Sequence, residues 1–254
     1  MTARPVRVTW VGHATVSIEV DGFRVLADPL LTRRVAHLRR RRPLPDADVA
    51  DADLVVISHA HMDHLHPRSL AQLRPGATVV APHGTARLLR RARPSEVVEI
   101  GTGDRVERGP ITVEAVPAVH RSGRGPHSRV TATPVGYMVT AAGQRIYLAG
   151  DTDLYDGMAD LGPIDVALLP IWGWGGSLGP GHLDPERAAA ATRLIGPRTV
   201  VPMHWGTYSP ENGRRQPPDW FERPAVAFAA ALEDAGERHR LELLEPGGSV
   251  TSAG

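Results

Sequence analysis

The stretch SHAHMDHLHP, residues 58–67, decides how this sequence is interpreted. It places four of the 12 histidines of the chain, together with one aspartate, between positions 59 and 66. Imidazole and carboxylate groups are the side chains that hold a borderline divalent metal when thiolates are absent. The crowding of these side chains therefore predicts a metal site.

The spacing of His59, His61, Asp63 and His64 excludes the two-histidine face of a helical metalloprotease motif, because on one helix these side chains would diverge. On a turn that leaves a strand, His59 and His61 can face one metal while Asp63 and His64 face a neighbouring metal. A dinuclear site of this kind needs further ligands from other segments of the chain.

Several apolar stretches with strand character end at a further potential ligand. VVIS precedes His59, VPAV precedes His120, IYLAG precedes Asp151 and VVPM precedes His204. Functional groups in layered α/β proteins gather in loops beyond the carboxyl ends of strands. We therefore expect these four segments to converge on one site.

Strand and helix patterns alternate along the chain in two similar halves. RVTWVG, TVSIEV, DLVVIS, IDVALLPI and TVVPMH predict strands, and Asp21 and Gly22 predict a tight hairpin turn. LDPERAAAATRLIG predicts a helix with Asp184 as N-cap and Gly196 beyond its end. RLELLE, near the end of the chain, is expected to close a sheet. The alternation predicts an α/β fold in one domain over residues 1–254.

Composition narrows the classes of function. A chain of 254 residues with 42% apolar side chains can bury a substantial core. It contains no cysteine, which excludes disulfides, thiolate metal sites and iron–sulfur clusters. The formal net charge of +1 argues against a surface for specific nucleic-acid binding. Neither a membrane span nor a signal peptide is apparent, so a cytoplasmic protein is expected.

The motif HAHMDH resembles the HxHxDH signature of the metallo-β-lactamase superfamily, and the later histidines and aspartate extend the resemblance over nearly the whole chain. WVGHATVSIEV, LADP, VPAVHRSGR, LAGDTDLYDG, GHLDPERA and MHWGTY resemble the branch that contains N-acyl-phosphatidylethanolamine phospholipase D and L-ascorbate-6-phosphate lactonase. The resemblance implies a metallo-β-lactamase-like, four-layer αββα sandwich with the metals at one edge.

The resemblance also implies a ligand set for two metals. One metal is assigned to His59, His61 and His120, and the other to Asp63, His64 and His204, with Asp151 bridging the two. Zinc is expected because the ligands are nitrogen and oxygen with no redox partner in sight, and manganese or iron are the alternatives. His66 has no position in this set and is expected to support a ligand or to lie at the surface.

Two divalent cations lower the pKa of a bound water and polarise a carbonyl or phosphoryl oxygen. The expected function is therefore a hydrolase that uses a metal-bound hydroxide on a phosphodiester, lactone or related ester. Its partner is a small-molecule substrate that could carry phosphate, and Asp63 could orient the hydroxide or take a proton. An iron-dependent oxidoreductase of the same fold and a non-catalytic metal-binding scaffold protein are the alternatives.

His182, in GPGHLDPERA, is the second candidate catalytic residue. It follows a glycine-rich stretch and precedes the helix capped by Asp184, whose N-terminus favours anions. In the resembled branch, the corresponding histidine lies near the metals. We expect His182 to position the substrate or to protonate the leaving group without holding metal, and an ordinary loop histidine is the alternative.

Two further stretches each have two interpretations. RRVAHLRRRRP predicts a loop that is either a solvated basic face or a rim for phosphate-bearing substrates, and it contains Arg33, Arg34, Arg39, Arg40, Arg41 and Arg42. IWGWGGSLGPG places Trp172 and Trp174 among glycines, where they either pack in the core or form a substrate wall. Three isolated histidines are interpreted as ordinary surface or core residues: His37, His83 and His239.

Overall fold

Two large β-sheets form the centre of the computed structural model, which describes residues 4–44, 47–92, 94–125, 128–173, 178–211, 217 and 219–252. The strands are β1 (Val6–Gly12), β2 (Thr15–Val20), β3 (Phe23–Ala27), β4 (Arg34–Val35), β5 (Leu38–Arg40), β6 (Leu54–Val56), β7 (Thr78–Pro82), β8 (Glu96–Ile100), β9 (Arg105–Arg108), β10 (Ile111–Pro117), β11 (Val135–Ala141), β12 (Gln144–Leu148), β13 (Val166–Pro170), β14 (Thr199–Met203), β15 (Tyr208–Pro210) and β16 (Ser249–Ser252). The α-helices are α1 (Pro67–Leu70), α2 (Ala86–Leu89), α3 (Pro185–Ile195) and α4 (Arg223–Asp234), and short 3-10 helices cover Ala47–Ala50, Arg90–Ala92, Asp156–Leu161 and Arg238–Arg240.

The strand order separates the two halves of the chain. The seven-stranded sheet has the order β16-β1-β2-β3-β6-β7-β8, and the six-stranded sheet has the order β14-β13-β12-β11-β10-β9. A small third sheet has the order β15-β5-β4. Strands β3, β6, β7 and β8 run parallel, as do β12, β13 and β14. The carboxyl ends of each parallel set therefore lie at one edge of its sheet.

The hairpin between β2 and β3 has the predicted tight turn. Asp21 has a φ of 51° and Gly22 a φ of 78°. Two consecutive residues with positive φ are typical of the two-residue turn whose twist matches that of the flanking strands. The Asp-Gly prediction is therefore confirmed.

Alternation along the strands assigns each face of the seven-stranded sheet to a different neighbour. On β3, Leu26 belongs to a buried cluster with Leu70 of α1 and Leu89 of α2. Val25 and Ala27 point to the opposite face and belong to the main core. The short helices α1 and α2 therefore cover the outer face of this sheet.

The main core joins both large sheets and the two longer helices. It contains buried residues of β1 and β2, of β11 to β14, and of α3 and α4, such as Trp10, Tyr137, Ala188 and Phe228. The layers are therefore helix, sheet, sheet and helix, and the predicted αββα sandwich is confirmed. The shared core supports one domain over residues 1–254, which stays a prediction.

Helix α3 begins and ends as the sequence predicts. The carboxylate of Asp184 accepts a hydrogen bond from the backbone nitrogen of Arg187 at 2.8 Å, and Pro185 is the first helical residue. Gly196 follows the last turn in a left-handed conformation. No helix in the described part of the chain is long and apolar enough to cross a membrane.

The structure contradicts the predictions made for two segments. RLELLE forms no closing strand: Leu241 makes only an isolated bridge with Val200, and Leu243 is exposed. The sheet is closed instead by β16, which follows a turn in which Gly247 donates from its backbone nitrogen to the Trp10 carbonyl at 2.7 Å.

The arginine-rich stretch is the second correction. It forms β4 and β5 rather than a loop. Strand β5 is stabilised by pairing with β15, which lies far along the same chain. Arg40 is buried, with its guanidinium donating to the carbonyls of Val11 at 2.8 Å and Leu30 at 3.3 Å. A buried arginine satisfied by backbone carbonyls supports the fold and is no part of a solvated face.

Candidate metal centre

The candidate metal centre lies where strands of both large sheets end. His59 and its neighbours follow β6, while His120 follows β10, Asp151 follows β12 and His204 follows β14. Their ligand atoms fall into two groups, within each of which the atoms lie no more than 4.8 Å apart. The structure thus brings together all seven residues that the resemblance implies as ligands, and their role as ligands stays a prediction.

The first group consists of His59, His61, His120 and Asp151. His61 Nδ1 lies 2.9 Å from His59 Nε2 and 3.1 Å from His120 Nε2. Asp151 Oδ2 lies 4.0 Å from both His59 Nε2 and His120 Nε2. Three imidazole nitrogens and one carboxylate oxygen therefore surround one point.

The second group consists of His13, Asp63, His64 and His204. His64 Nε2 and His204 Nε2 lie 3.2 Å apart, and they lie 3.7 Å and 3.6 Å from Asp63 Oδ2. His13 Nε2 lies 2.9 Å from the same oxygen. This group contains one histidine that the resemblance does not supply.

Asp151 connects the two groups. In addition to its contacts in the first group, its Oδ2 lies 3.4 Å from His64 Nε2, and its Oδ1 lies 3.3 Å from His204 Nε2. Oδ1 is buried without a hydrogen-bond partner among the described residues. A buried carboxylate oxygen of this kind needs a charged or hydrogen-bonding partner. Its position therefore suits a carboxylate shared between two cations.

The ring nitrogens that face away from the centre are held by other groups. Such partners fix the ring and the tautomer of a metal-binding histidine. The contacts are His59 Nδ1 with Ser58 Oγ at 2.9 Å, His64 Nδ1 with Asp28 Oδ2 at 2.8 Å, His120 Nδ1 with the Gly181 carbonyl at 2.6 Å, and His204 Nδ1 with the Trp172 carbonyl at 2.9 Å. The nitrogens aimed at the centre are left to bind an electrophile. The donor set therefore fits divalent cations.

Burial and neighbouring histidines keep part of the cluster neutral. Burial, reinforced by His204, lowers the pKa of His13 to about 4, and burial with His120 lowers the pKa of His61 to about 4. Burial and His64 hold the pKa of His59 well below its usual value. Neutral imidazole is the form that binds a metal.

The carboxylates have the opposite effect on two other histidines. Burial alone would lower the pKa of His64, but Asp151, Asp28 and Asp63 raise it well above its usual value. The pKa of His204 is also raised, because Asp151 and Asp63 outweigh burial. In return, and against the effect of burial, the histidines keep the pKa values of Asp63 and Asp151 well below the usual range.

Sequence reasoning missed His13 and Asp28 as members of the site. Both follow strands, β1 and β3, so the strand-end rule that selected the other residues would have selected these two as well. His13, Asp28 and His204 have positive φ values of 54°, 40° and 68°. Such backbone conformations cost about 1–3 kcal/mol each and cluster at functional sites. The fold therefore keeps strained residues at this centre.

His66 and His182 differ in their relation to the centre. His66 is buried, lies outside both groups and has its Nδ1 2.8 Å from Ser69 Oγ. His182 Nε2 lies 3.9 Å from Asp151 Oδ2, and the side chain is 24% exposed. The structure thus places His182 at the rim of the metal centre, where a substrate can reach it. Its catalytic role stays a prediction.

The remaining candidates lie at or beyond the edge of the site. Trp172 is half-buried and packs edge-on against Trp220, with ring centroids 6.0 Å apart. Trp174 lies outside the described residues. The three histidines that were interpreted as ordinary residues are exposed, and none of them belongs to either donor group: His37, His83 and His239.

Comparisons with known proteins agree with this geometry. Residues 23–205 match the beta-lactamase superfamily domain. A UPF0173 metal-dependent hydrolase of Methanopyrus kandleri is 34% identical over 248 residues, which cover 96% of this chain and 98% of the relative. Another UPF0173 metal-dependent hydrolase, of Thermococcus kodakarensis, is 35% identical over 253 residues, which cover 95% of this chain and 97% of the relative.

A solved structure extends the comparison to three dimensions. Igni18, a metallo hydrolase from the archaeon Ignicoccus hospitalis, has 28% sequence identity and a TM-score of 0.72, with 98% of both chains covered. The family match, the relatives and the shared fold lead to one assignment: the chain belongs to the beta-lactamase superfamily and has the metallo-β-lactamase fold.

Proposed function

We propose that the protein is a metal-dependent hydrolase that cleaves a phosphodiester, lactone or related ester of a small molecule at a dinuclear His/Asp centre. The observation that carries the proposal is the pair of buried donor groups with Asp151 between them. The relatives named metal-dependent hydrolases support hydrolysis over the other chemistries of this fold.

In this proposal one cation is held by His59, His61 and His120 and the other by Asp63, His64 and His204, with Asp151 shared. Zn²⁺ is the proposed metal because the donors are nitrogen and oxygen, and Mn²⁺ or iron are the alternatives. When bound, two such cations supply an activated water and a Lewis acid for the substrate oxygen.

Residues of the chain orient the reacting groups. Asp63 Oδ2 faces His64 and His204 and is held by His13 at 2.9 Å. A metal held through this oxygen would leave the other oxygen to orient the attacking water or to take a proton. His182 lies beside Asp151 with its side chain partly exposed. We assign His182 the protonation of the leaving group, because a partly exposed imidazole at the rim can reach a substrate atom.

A metal and activity assay tests the function. Elemental analysis of untagged protein is expected to give about two transition-metal ions per chain. The metal-loaded protein is then assayed on a panel of phosphodiesters, lactones and thioesters, with Asp151→Asn as the inactive control. We expect turnover of one bond class, which is lost after chelation and restored by metal.

Other outcomes point to the alternatives. Folded protein with one metal or none contradicts the dinuclear centre. Full metal loading without turnover of any panel compound favours a metal-binding scaffold, and conversion that requires O₂ favours an iron-dependent oxidoreductase. The cytoplasmic location stays a prediction from the sequence.

A further inference from the structure

A cavity of about 650 Å³ lies beside the histidine loop, which we define as residues 58–66. Met62 and His66 of this loop form part of its wall, and β4 contributes Arg34 and Val35. Met62 stands in sequence between His61 and Asp63, one from each donor group. The cavity is therefore built in part from the same loop that supplies members of both donor groups.

The charge of this cavity has one sign. Among the described residues, its lining includes Arg34, Arg68 and Arg124 and no aspartate or glutamate. Arg124 is fixed on the histidine loop, because its Nη1 donates to the carbonyls of Ala60 at 2.9 Å and Leu65 at 3.1 Å. Its charge is therefore held at the wall of the cavity.

The other two arginines are nearer to solvent. Arg34 shares Glu211, at 3.1 Å, with Arg39, so one carboxylate faces two guanidinium groups. Arg68 is exposed on α1, and the described residues include no ion-pair partner for it. Positive charge therefore remains available to a ligand, and guanidinium groups bind carboxylate and phosphate oxygens with directed hydrogen bonds.

The rest of the wall is apolar. Val35, Ala36, Met62, Pro67 and Ala71 complete the lining. Met62 is 44% exposed and is one of few large hydrophobic side chains in the described chain with so much exposure. Ligand pockets are typically lined by apolar side chains together with a few polar groups that fix the orientation of the ligand. The cavity thus combines oxyanion-binding groups with a short apolar surface.

A larger cavity, of about 750 Å³, lies elsewhere. It is lined by residues of β9 and β10 and contains both signs of charge, including Arg105 and Glu114, which form an ion pair at 2.9 Å. None of its lining residues belongs to the histidine loop or to either donor group. Although it is larger, this cavity shares no residue with the candidate metal centre and is not considered as a substrate site.

We propose that the cavity beside the histidine loop binds the anionic group of the substrate, a phosphate or carboxylate joined to a short apolar chain. Arg68 binds the oxyanion, Arg124 adds positive potential, and Met62 with Val35 contacts the apolar part. The inference names the substrate class of the proposed hydrolase and rests on that function. A substrate bound in this way would be cleaved at the donor groups that share the histidine loop.

The test compares Arg68→Gln with Arg87→Gln. Both residues are exposed and each is the second residue of a four-residue helix, but Arg87 lies outside the cavity. Isothermal titration of metal-loaded protein with butyl phosphate, butyrate and 1-butanol measures the binding. We expect the parent and Arg87→Gln to bind at least one of the two anions equally well, Arg68→Gln to bind it about tenfold more weakly, and 1-butanol not to bind.

The two anions identify the oxyanion, and a second variant tests the apolar wall. Met62→Asn is expected to lower the affinity for butyl phosphate or butyrate while leaving that for inorganic phosphate or acetate unchanged. On an ester substrate that carries the preferred anion, Arg68→Gln is expected to raise KM about tenfold with little change in kcat.

The binding results separate this inference from the proposed function. The cavity assignment is wrong if the parent binds neither anion, or if Arg68→Gln binds as well as Arg87→Gln. The absence of turnover of every compound by the metal-loaded parent, in contrast, counts against the hydrolase, whatever the binding shows.

Discussion

His13 Nε2 lies 2.9 Å from Asp63 Oδ2, although the two residues are 50 positions apart in the chain. Burial and His204 lower the pKa of His13 to about 4, so the imidazole is neutral near pH 7 and its Nε2–H donates to the carboxylate. The backbone carbonyl of His13 accepts from the backbone nitrogen of His204 at 2.9 Å. His13 is thus a positioning residue for two proposed ligands of one metal.

Replacement of His13 is expected to lower the affinity for the metal at the second donor group and to leave the affinity at the first group unchanged. We choose His13→Asn because Asn tolerates the left-handed backbone at φ 54°, while its shorter side chain carries the amide away from Asp63. Loss of such a supporting contact typically costs 10- to 100-fold in metal affinity. Competition with a chelator should show this loss for one of two metals, with the other unchanged.

His13→Gln provides the matched control, because its longer side chain returns an N–H donor toward Asp63. We expect it to recover part of the lost affinity. If both variants bind two metals as tightly as the parent, the positioning role of His13 is wrong.

Asp151→Ala is expected to reduce metal content and turnover more than His66→Ala does. A shared carboxylate balances the charge of both cations, so its removal should loosen the pair and abolish most turnover. His66 contacts Ser69 and lies outside both donor groups, so its variant should keep both metals. Metal content and turnover of the two purified proteins decide the point, and equal losses would mean that the ligand assignment is wrong.

The candidate site was visible in the sequence to the extent that its residues follow recognisable strands. The histidine loop is contiguous, and His120, Asp151 and His204 each end an apolar run. His13 shows the same pattern after β1 but stands alone in its segment. The strand-end rule makes it a candidate, but only the tertiary contact that brings its ring to Asp63 assigns it to the second donor group.

Other differences arose where distant pairing overrode local pattern. The arginines near residue 40 predict a solvated loop, but β15 pairs with β5 and backbone carbonyls around Arg40 satisfy its guanidinium. RLELLE has apolar residues suited to a strand, yet β1 pairs with β16 instead. Strand preference depends on the neighbouring strand more than on the residues themselves.

His182→Ala is expected to retain both metals and the thermal stability of the parent while turnover falls by about 10²-fold, the low end for loss of a general acid. The side chain lies at the rim, 3.9 Å from Asp151, and Asp184 rather than His182 caps α3. Elemental analysis, thermal unfolding and kcat measured on one substrate provide the three readouts. Loss of metal, or activity equal to that of the parent, overturns the role.

Metal binding near pH 7 is expected to release protons. Without metal, Asp151, Asp28 and Asp63 outweigh burial and raise the pKa of His64 well above 6.5, and Asp151 with Asp63 raises the pKa of His204. A raised pKa stabilises the metal-free fold below pH 6.5, and this contribution is lost as pH rises through the raised value. Metal affinity must therefore increase with pH over the same range, whereas His61, with a pKa of about 4, is already neutral. Calorimetric titrations with Zn²⁺ in two buffers of different ionisation enthalpy should therefore show apparent binding enthalpies that differ between the buffers, as proton release requires. Asp28→Asn, which removes one carboxylate beside His64 and leaves all seven proposed ligands in the sequence, should reduce the release. Equal apparent enthalpies in both buffers for the parent would contradict this account.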